Sequence, residues 1–350
     1  MQRVLDALST MLKLAYPSRK KTLTRVPAAM FLAWLALWLL GISASAVGVL
    51  ATALGPVVCL LAAFWVLVSL SLKDWIAAAT TALVVAVAAF GFQVVPWQEP
   101  LPNLPNSQKS HSLTSVNVVE VNALLGTASP FALTRLVRSS HADFLIVAES
   151  NDTFLNPGLI RAGMEKLLPY RYSIDTGNLR PGAEMLGNAI WSRWPIDAKR
   201  RVPGTFNPTL AIDVTINNFP ITVVATRAQN PLVSRSQWDS DLRAVARFVP
   251  TISKNRRLIV AGDFNSSFGH APFEQILAAG LQDAQAKVNW PWQRMTFPTF
   301  TSPTEPAQIP FLQIDHVLFG SGWHVNRAQT VMVPRTDHTA TSVELWVTRR

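Results

Sequence analysis

Leu258-Ile259-Val260-Ala261-Gly262-Asp263-Phe264-Asn265 decides how the second half of this chain is read. Four apolar residues run into a glycine, with Asp and Asn then two positions apart. This predicts a buried strand ending in an extended turn that points both polar side chains the same way. Working outward, the pattern repeats: Leu113 to Val121 closes on Asn122, Phe144 to Ala148 closes on Glu149, and Ile221 to Ala225 runs into Thr226-Arg227. Ile314-Asp315-His316-Val317-Leu318 embeds Asp and His in an apolar strand, and Thr336-Asp337-His338 precedes a last strand, Ser342 to Val347. Helical patterns over Phe131 to Ser139, Asn156 to Leu168, Ser236 to Phe248 and Pro272 to Ala279 intervene. A mixed α/β domain of two sheets with helices outside is therefore expected over residues 112–350. Polar residues at strand ends in such a domain converge on one cleft.

The first hundred residues follow a different regime. Hydrophobic residues make up 49% of the 350-residue chain and charged ones 15%, and the imbalance is local: between Val26 and Trp97 the only formal charges are Lys73 and Asp74. Residues 26–97 are expected to hold three transmembrane helices, near Ala28 to Gly48, Leu50 to Leu72 and Trp75 to Val95, with Gly55-Pro56 as an alternative first turn. Ahead of them, residues 1–25 carry Arg3, Lys13, Arg19, Lys20, Lys21 and Arg25 against Asp6, half of the formal charge of +10. That basic segment reads as cytoplasmic, and an odd number of spans then puts everything after Trp97 outside the cytoplasm. Residues 1–16 have the spacing of an interfacial helix, with a frayed cytoplasmic tail as the alternative. Residues 98–111 read as a Pro/Asn/Ser linker. The lone Cys59 excludes a disulfide framework or a cysteine metal cluster.

Carboxylates and amides dominate the strand ends, which suits a hard cation such as Mg²⁺, with Mn²⁺ as an alternative, and a phosphate-bearing substrate. Glu149 is the expected direct ligand, with Asn122 and a later aspartate, Asp337, completing the shell. An Asp beside a His at Asp337-His338 suggests a carboxylate that fixes the imidazole while the ring contacts phosphate or its attacking water. Of Asp263 and Asn265, one activates water and the other holds a phosphoryl oxygen. Asp143 reads as a turn cap, and His316 and His324 as structural.

The ordered set Asn122, Ala142-Asp143 with Glu149, Trp191-Ser192-Arg193-Trp194-Pro195, Gly262-Asp263-Phe264-Asn265, Gly280-Leu281-Gln282-Asp283-Ala284, Ile314-Asp315-His316 and Thr336-Asp337-His338 resembles the endonuclease/exonuclease/phosphatase superfamily. The resemblance covers nearly all of Ser112 to Arg350. It implies a DNase I-like four-layer α/β sandwich and a Mg²⁺-dependent hydrolase of phosphoric esters. It also implies Glu149 as metal ligand with Asn122 beside it, Asp263 as the water-activating group and Asn265 as a phosphate-positioning amide. Asp315 and Asp337 would tune their neighbours, and His338 would contact the scissile phosphate. One departure stands out: where many members carry a histidine after the middle strand, this chain has Thr226-Arg227. Arg227 can bind phosphoryl charge in a fork but cannot supply a proton near neutral pH. The tether points to a lipid-linked phosphate in the bilayer as substrate; nucleic acid, cut by an extracytoplasmic nuclease, is the alternative. A membrane-held module that binds a phosphorylated ligand or partner without catalysis is the alternative of another class.

Overall fold

A computed structural model describes residues 19–39, 46–97, 113–175, 187–299 and 308–348. The chain divides into two compact units at Val94/Val95. The interfacial helix expected over residues 1–16 and the linker 98–111 lie outside the described residues.

The first unit is helical: α1 (Arg19–Leu39), α2 (Ala46–Ala53), α3 (Gly55–Ser71) and α4 (Trp75–Gly91). Among the described residues, Lys21–Leu39 is the one unbroken helix long and apolar enough to cross a membrane. Three separate transmembrane helices at the expected bounds are therefore not what the structure has. The first helix begins earlier, at Arg19, and the second run is broken: Val47–Ala53 and Gly55–Ser71 meet at a bend of 65°. Pro56 explains the break, because it has no N–H to continue the ladder and opens α3 at its first turn. Helix α4, at 17 residues, is shorter than an ordinary span.

The second unit is built on two six-stranded sheets, ordered β11-β12-β1-β2-β4-β3 and β5-β6-β7-β8-β10-β9. Their strands are β1 (Leu113–Asn122), β2 (Phe144–Ser150), β3 (Tyr170–Ile174), β4 (Gly187–Ser192), β5 (Ala198–Arg201), β6 (Leu210–Ile216), β7 (Phe219–Arg227), β8 (Arg257–Asp263), β9 (Gln282–Asp283), β10 (Asp315–Phe319), β11 (Trp323–Met332) and β12 (Thr339–Thr348). The helices of this unit are α5 (Pro130–Ser139), α6 (Leu155–Arg161), α7 (Arg235–Phe248), α8 (Ala271–Ala278) and α9 (Ala284–Val288). Strand alternation builds the core. Val116, Val118, Phe144 and Ile146 of one sheet pack with Ile212, Val214, Val223 and Ile259 of the other. The opposite face of the first sheet, Val119, Val121, Leu145 and Val147, is covered by Leu133, Val137, Leu155 and Leu159 of α5 and α6. The helix expected over Asn156 to Leu168 stops at Arg161, where Gly163 turns left-handed at φ +88°.

Each sheet contains one parallel pair, β1 with β2 and β7 with β8. Parallel strands finish at the same edge, so Asn122, Glu149, Arg227 and Asp263 leave their sheets side by side.

Candidate active site

Backbone irregularities aim these side chains. Glu149 sits on a bulge against β4, between Ala148 and Ser150, with φ +56°. A left-handed glutamate is an uncommon, strained conformation that a bulge uses to redirect a side chain. Gly262 has φ +144°, and a Cβ there would lie 1.8 Å from the carbonyl oxygen of Thr226 on β7. The glycine of Gly262-Asp263 is thus required for two strands to approach and present Arg227 directly opposite Asp263. Asn265, at φ +46°, completes the turn in a conformation asparagine tolerates.

Asn122 stitches the two sheets together. Its Nδ2 donates to Glu149 Oε1 at 3.0 Å and to Asp263 Oδ2 at 2.9 Å, while its Oδ1 accepts from Leu124 N. Glu149 is held further by Leu125 N on Oε2 (2.9 Å) and by Arg227 Nη2 on Oε1 (3.1 Å). Asp263 accepts from Asn265 N (2.7 Å) and Asn265 Nδ2 (3.0 Å). Across β10, whose first residue Asp315 pairs with Asp263, Asp315 Oδ2 meets His338 Nδ1 at 2.8 Å. The carboxylate that orients the imidazole is therefore Asp315, 23 residues away in sequence. The adjacent Asp337 reaches only to 3.9 Å, and on the other ring nitrogen.

The electrostatics follow from this crowding. Burial, with the neighbouring Asp315 charge, pushes Asp263 up to about 7, against the pull of His338 and Arg227. Burial alone would depress His338, but the Asp315 carboxylate beside and bonded to it, with Asp263 and Asp337, raises it to about 10. At neutral pH this favours the imidazolium, with a proton on each ring nitrogen, and Asp263 stands near its titration point. A carboxylate poised near pH 7 is suited to accept a proton from water.

Sequence reasoning missed Glu120. It lies two residues before Asn122, on the same face of β1, fully buried, and neither carboxyl oxygen has a hydrogen-bond partner. Burial first, then the charges of Asp315 and Asp263, raises its pKa well above the ordinary value. The signal was present: a glutamate in the otherwise apolar Val118-Val119-Glu120-Val121, in phase with Asn122. Because burial favours the protonated form of Glu120 in the folded state, stability falls as pH rises above the ordinary carboxylate range. Glu120→Gln is expected to remove that loss, so its melting temperature should exceed that of the unmodified chain at pH 8 but not at pH 5, as read by thermal unfolding.

Asp263, Asp315 and His338 each offer one atom within 4.8 Å of the others, a grouping able to hold a metal ion when the imidazole is neutral; with His338 protonated, the carboxylates are the donors. The donor set also fits a divalent cation on other grounds. Buried carboxyl oxygens of Asp315 and Asp337 lack partners, and in this cluster His338 and Arg227 stand against Glu149, Asp263, Asp315 and Asp337. Oxygen-rich crowding of this kind suits Mg²⁺ or Mn²⁺ over zinc.

The remaining expected residues fall elsewhere. Asp143 is no simple turn cap: Asn117 N, Trp194 Nε1 and Arg193 all converge on its carboxylate, so Trp191-Ser192-Arg193-Trp194 pins the start of β2, at the far end of the strand from Glu149. His316, opposite in strand phase to Asp315, is structural as expected, buried between Asp283 Oδ2 (2.6 Å) and Ser266 O (2.8 Å). Asn265 Nδ2 is spent on Asp263 and on Ala228 O, which makes it a brace for Asp263.

A family model described as the endonuclease/exonuclease/phosphatase family matches residues 119–338, a stretch that holds every residue of this cluster. The chain belongs to that family. Solved structures of the same architecture agree at the level of fold. An endonuclease/exonuclease/phosphatase family protein from Leptotrichia buccalis is 15% identical, with a TM-score of 0.52 over 66% of this chain and 99% of its own. One from Beutenbergia cavernae is 16% identical, with a TM-score of 0.51 over 67% and 72%. A humanized D. rerio TDP2 is 13% identical, with a TM-score of 0.52 over 66% and 98%. No curated protein matches the sequence significantly. Membership of the endonuclease/exonuclease/phosphatase family fixes the phosphoesterase type of fold, and the site agrees with it in having a grouping able to hold a divalent metal.

Proposed function

We propose that the chain is a membrane-anchored, Mg²⁺-dependent phosphoesterase that hydrolyses a phosphodiester or phosphomonoester bond, with a lipid-linked phosphate as its substrate class. The observation that carries this reading is the buried Asp263, Asp315 and His338 cluster joined through Asn122 to Glu149. Asp263 takes the proton of the attacking water, with Asn122 and Asn265 fixing its carboxylate. His338, held by Asp315, offers its other ring N–H to a phosphoryl oxygen and is the group with a transferable proton, which Arg227 is not. Glu149, with Asn122 and the neighbouring aspartates, would hold the cation. When bound, that ion supplies charge neutralisation and Lewis acidity at phosphorus.

The pH profile tests the proton roles. kcat/KM is expected to rise as Asp263 ionises near pH 7 and to fall as His338 loses its proton toward pH 10, with apparent values that belong to the coupled cluster. A bound cation moves the lower limb toward acid.

The anchoring part rests on where the apolar surface lies. In the helical unit Leu60, Leu61, Phe64, Leu83 and Phe90 point outward, Phe90 at 89% exposure, whereas Thr24, Ser69, Asp74 and Thr81 are buried inside. Such an inside-out arrangement suits lipid. Arg25 and Thr24 of α1 bond to Asp74 at the α3/α4 turn, which puts the basic end of α1 beside Lys73. Basic residues gathered at one end of the helical unit support the reading that this end is cytoplasmic; counting the bent α2–α3 pair as one pass, a three-pass anchor would then put the catalytic domain outside. The loops that follow β1, β2 and β7 expose Leu125, Phe154, Leu232 and Val233 within a few residues of Asn122, Glu149 and Arg227. An apolar rim favours an acyl-bearing substrate over a nucleic acid.

The reading is tested with the full chain in nanodiscs and Mg²⁺, against bis-nitrophenyl phosphate, phospholipids in the disc, and plasmid DNA. Cleavage of the phospholipids is the expected result. Cleavage of DNA alone, steeply suppressed by salt, would make it a nuclease, and turnover of none would make it a binding module.

A further inference from the structure

We infer that Arg227 makes binding of the cation and binding of the phosphate mutually dependent, by acting as the counter-ion of Glu149 until a phosphate takes its place. The inference rests on the proposed phosphoesterase reading and concerns how this chain differs from a site built on a free carboxylate.

Glu149 is not free. Its Oε1 already accepts from Asn122 Nδ2 and from the Arg227 guanidinium, and its Oε2 accepts from Leu125 N. Arg227 and Glu149 are both buried, with 8% and 10% of their side chains exposed, so water screens the pair little. A divalent cation coming to Glu149 therefore meets a carboxylate whose charge is already matched, and the two positive groups repel while they share it.

Arg227 has somewhere else to go. Its Nη1 is tied to Gln229 Oε1 at 2.9 Å, which keeps the planar group at the mouth of β7, and its buried Nε has no partner. Gln229 is itself fixed through its backbone N–H, which donates to the buried Asp241 at 3.0 Å. A guanidinium with one nitrogen unpartnered and another on a competing carboxylate is half of a fork. A phosphate oxygen pair completes it, since that is the geometry guanidinium binds best. Moving Nη2 from Glu149 to phosphate releases the carboxylate to the cation, and a cation on Glu149 releases Nη2 to phosphate. Linkage requires the two effects to be equal.

The test is calorimetric titration of Mg²⁺ into the full chain in nanodiscs, with and without inorganic phosphate. The unmodified chain is expected to bind Mg²⁺ at least about fivefold more tightly with phosphate present. Arg227→Met keeps the stem and removes the charge. It should bind Mg²⁺ more tightly than the unmodified chain without phosphate, and lose the phosphate effect. Arg227→Lys, which keeps the charge without the fork, should retain the weaker Mg²⁺ binding with a reduced phosphate effect, and it serves if the methionine variant does not fold. Unchanged or weaker Mg²⁺ binding by Arg227→Met, with the phosphate effect intact, overturns the inference while leaving the phosphoesterase reading standing. Absence of Mg²⁺ binding in every protein overturns both.

Discussion

Asp263→Asn is expected to lower turnover of a phosphate ester by about 10³-fold, in the range that removal of a positioned general base produces. Three donors converge on this carboxylate: Asn265 N on Oδ1, and the side-chain amides of Asn122 and Asn265 on Oδ2. An asparagine keeps one acceptor and sets an NH₂ group against the other two donors. A stability loss of about 1–3 kcal/mol should accompany the loss of rate, as for other unsatisfied buried polar groups. The signature that separates catalysis from folding is a kcat that stays low under conditions where thermal unfolding shows the variant fully native. Recovery of the rate at low temperature would instead make Asp263 a structural brace.

Gly262→Ala should be the most damaging substitution for the fold. The added carbon meets the Thr226 carbonyl at 1.8 Å, and the backbone angle of +144° is one that a side chain resists. Neither β7 nor β8 can yield without breaking the pairing that sets Arg227 opposite Asp263. A cost of about 4 kcal/mol or more is expected, the size associated with backbone clashes, against a total stability of roughly 5–15 kcal/mol for a domain. Denaturant unfolding of the full chain in detergent reads the shift in midpoint. A midpoint unchanged from the parent would mean that β7 and β8 are not pressed together as described.

How much of this was legible in the sequence depended on the range of the interaction concerned. Asn122, Glu149 and Asp263 stood out because each closes an apolar run, and such runs are local signals. The partner of His338 was misread because adjacency in sequence favoured Asp337. A residue next in the chain points to another side of the turn, whereas Asp315 arrives through β10 pairing with β8. Arg227 was read as a phosphate ligand, but its bond to Glu149 spans 78 positions and two sheets, which no local pattern encodes. The strands β3, β4, β5, β6, β9 and β11 were not read at all. Four of them, β3, β5, β9 and β11, are edge strands, and their pairing is set by neighbours from distant parts of the chain. In the apolar region composition gave the right stretch, but the break at Gly55-Pro56 and the early start at Arg19 depended on where the helical ladder could run without interruption.

Water attacking phosphorus is the claim on which the roles of Asp263, His338 and Glu149 all depend. Turnover of bis-nitrophenyl phosphate by the full chain with Mg²⁺ in ¹⁸O-labelled water, followed by mass spectrometry of both products, tests it most directly. The label is predicted in the phosphate monoester. Label in the released nitrophenol, or no turnover above that of Asp263→Asn, would contradict it.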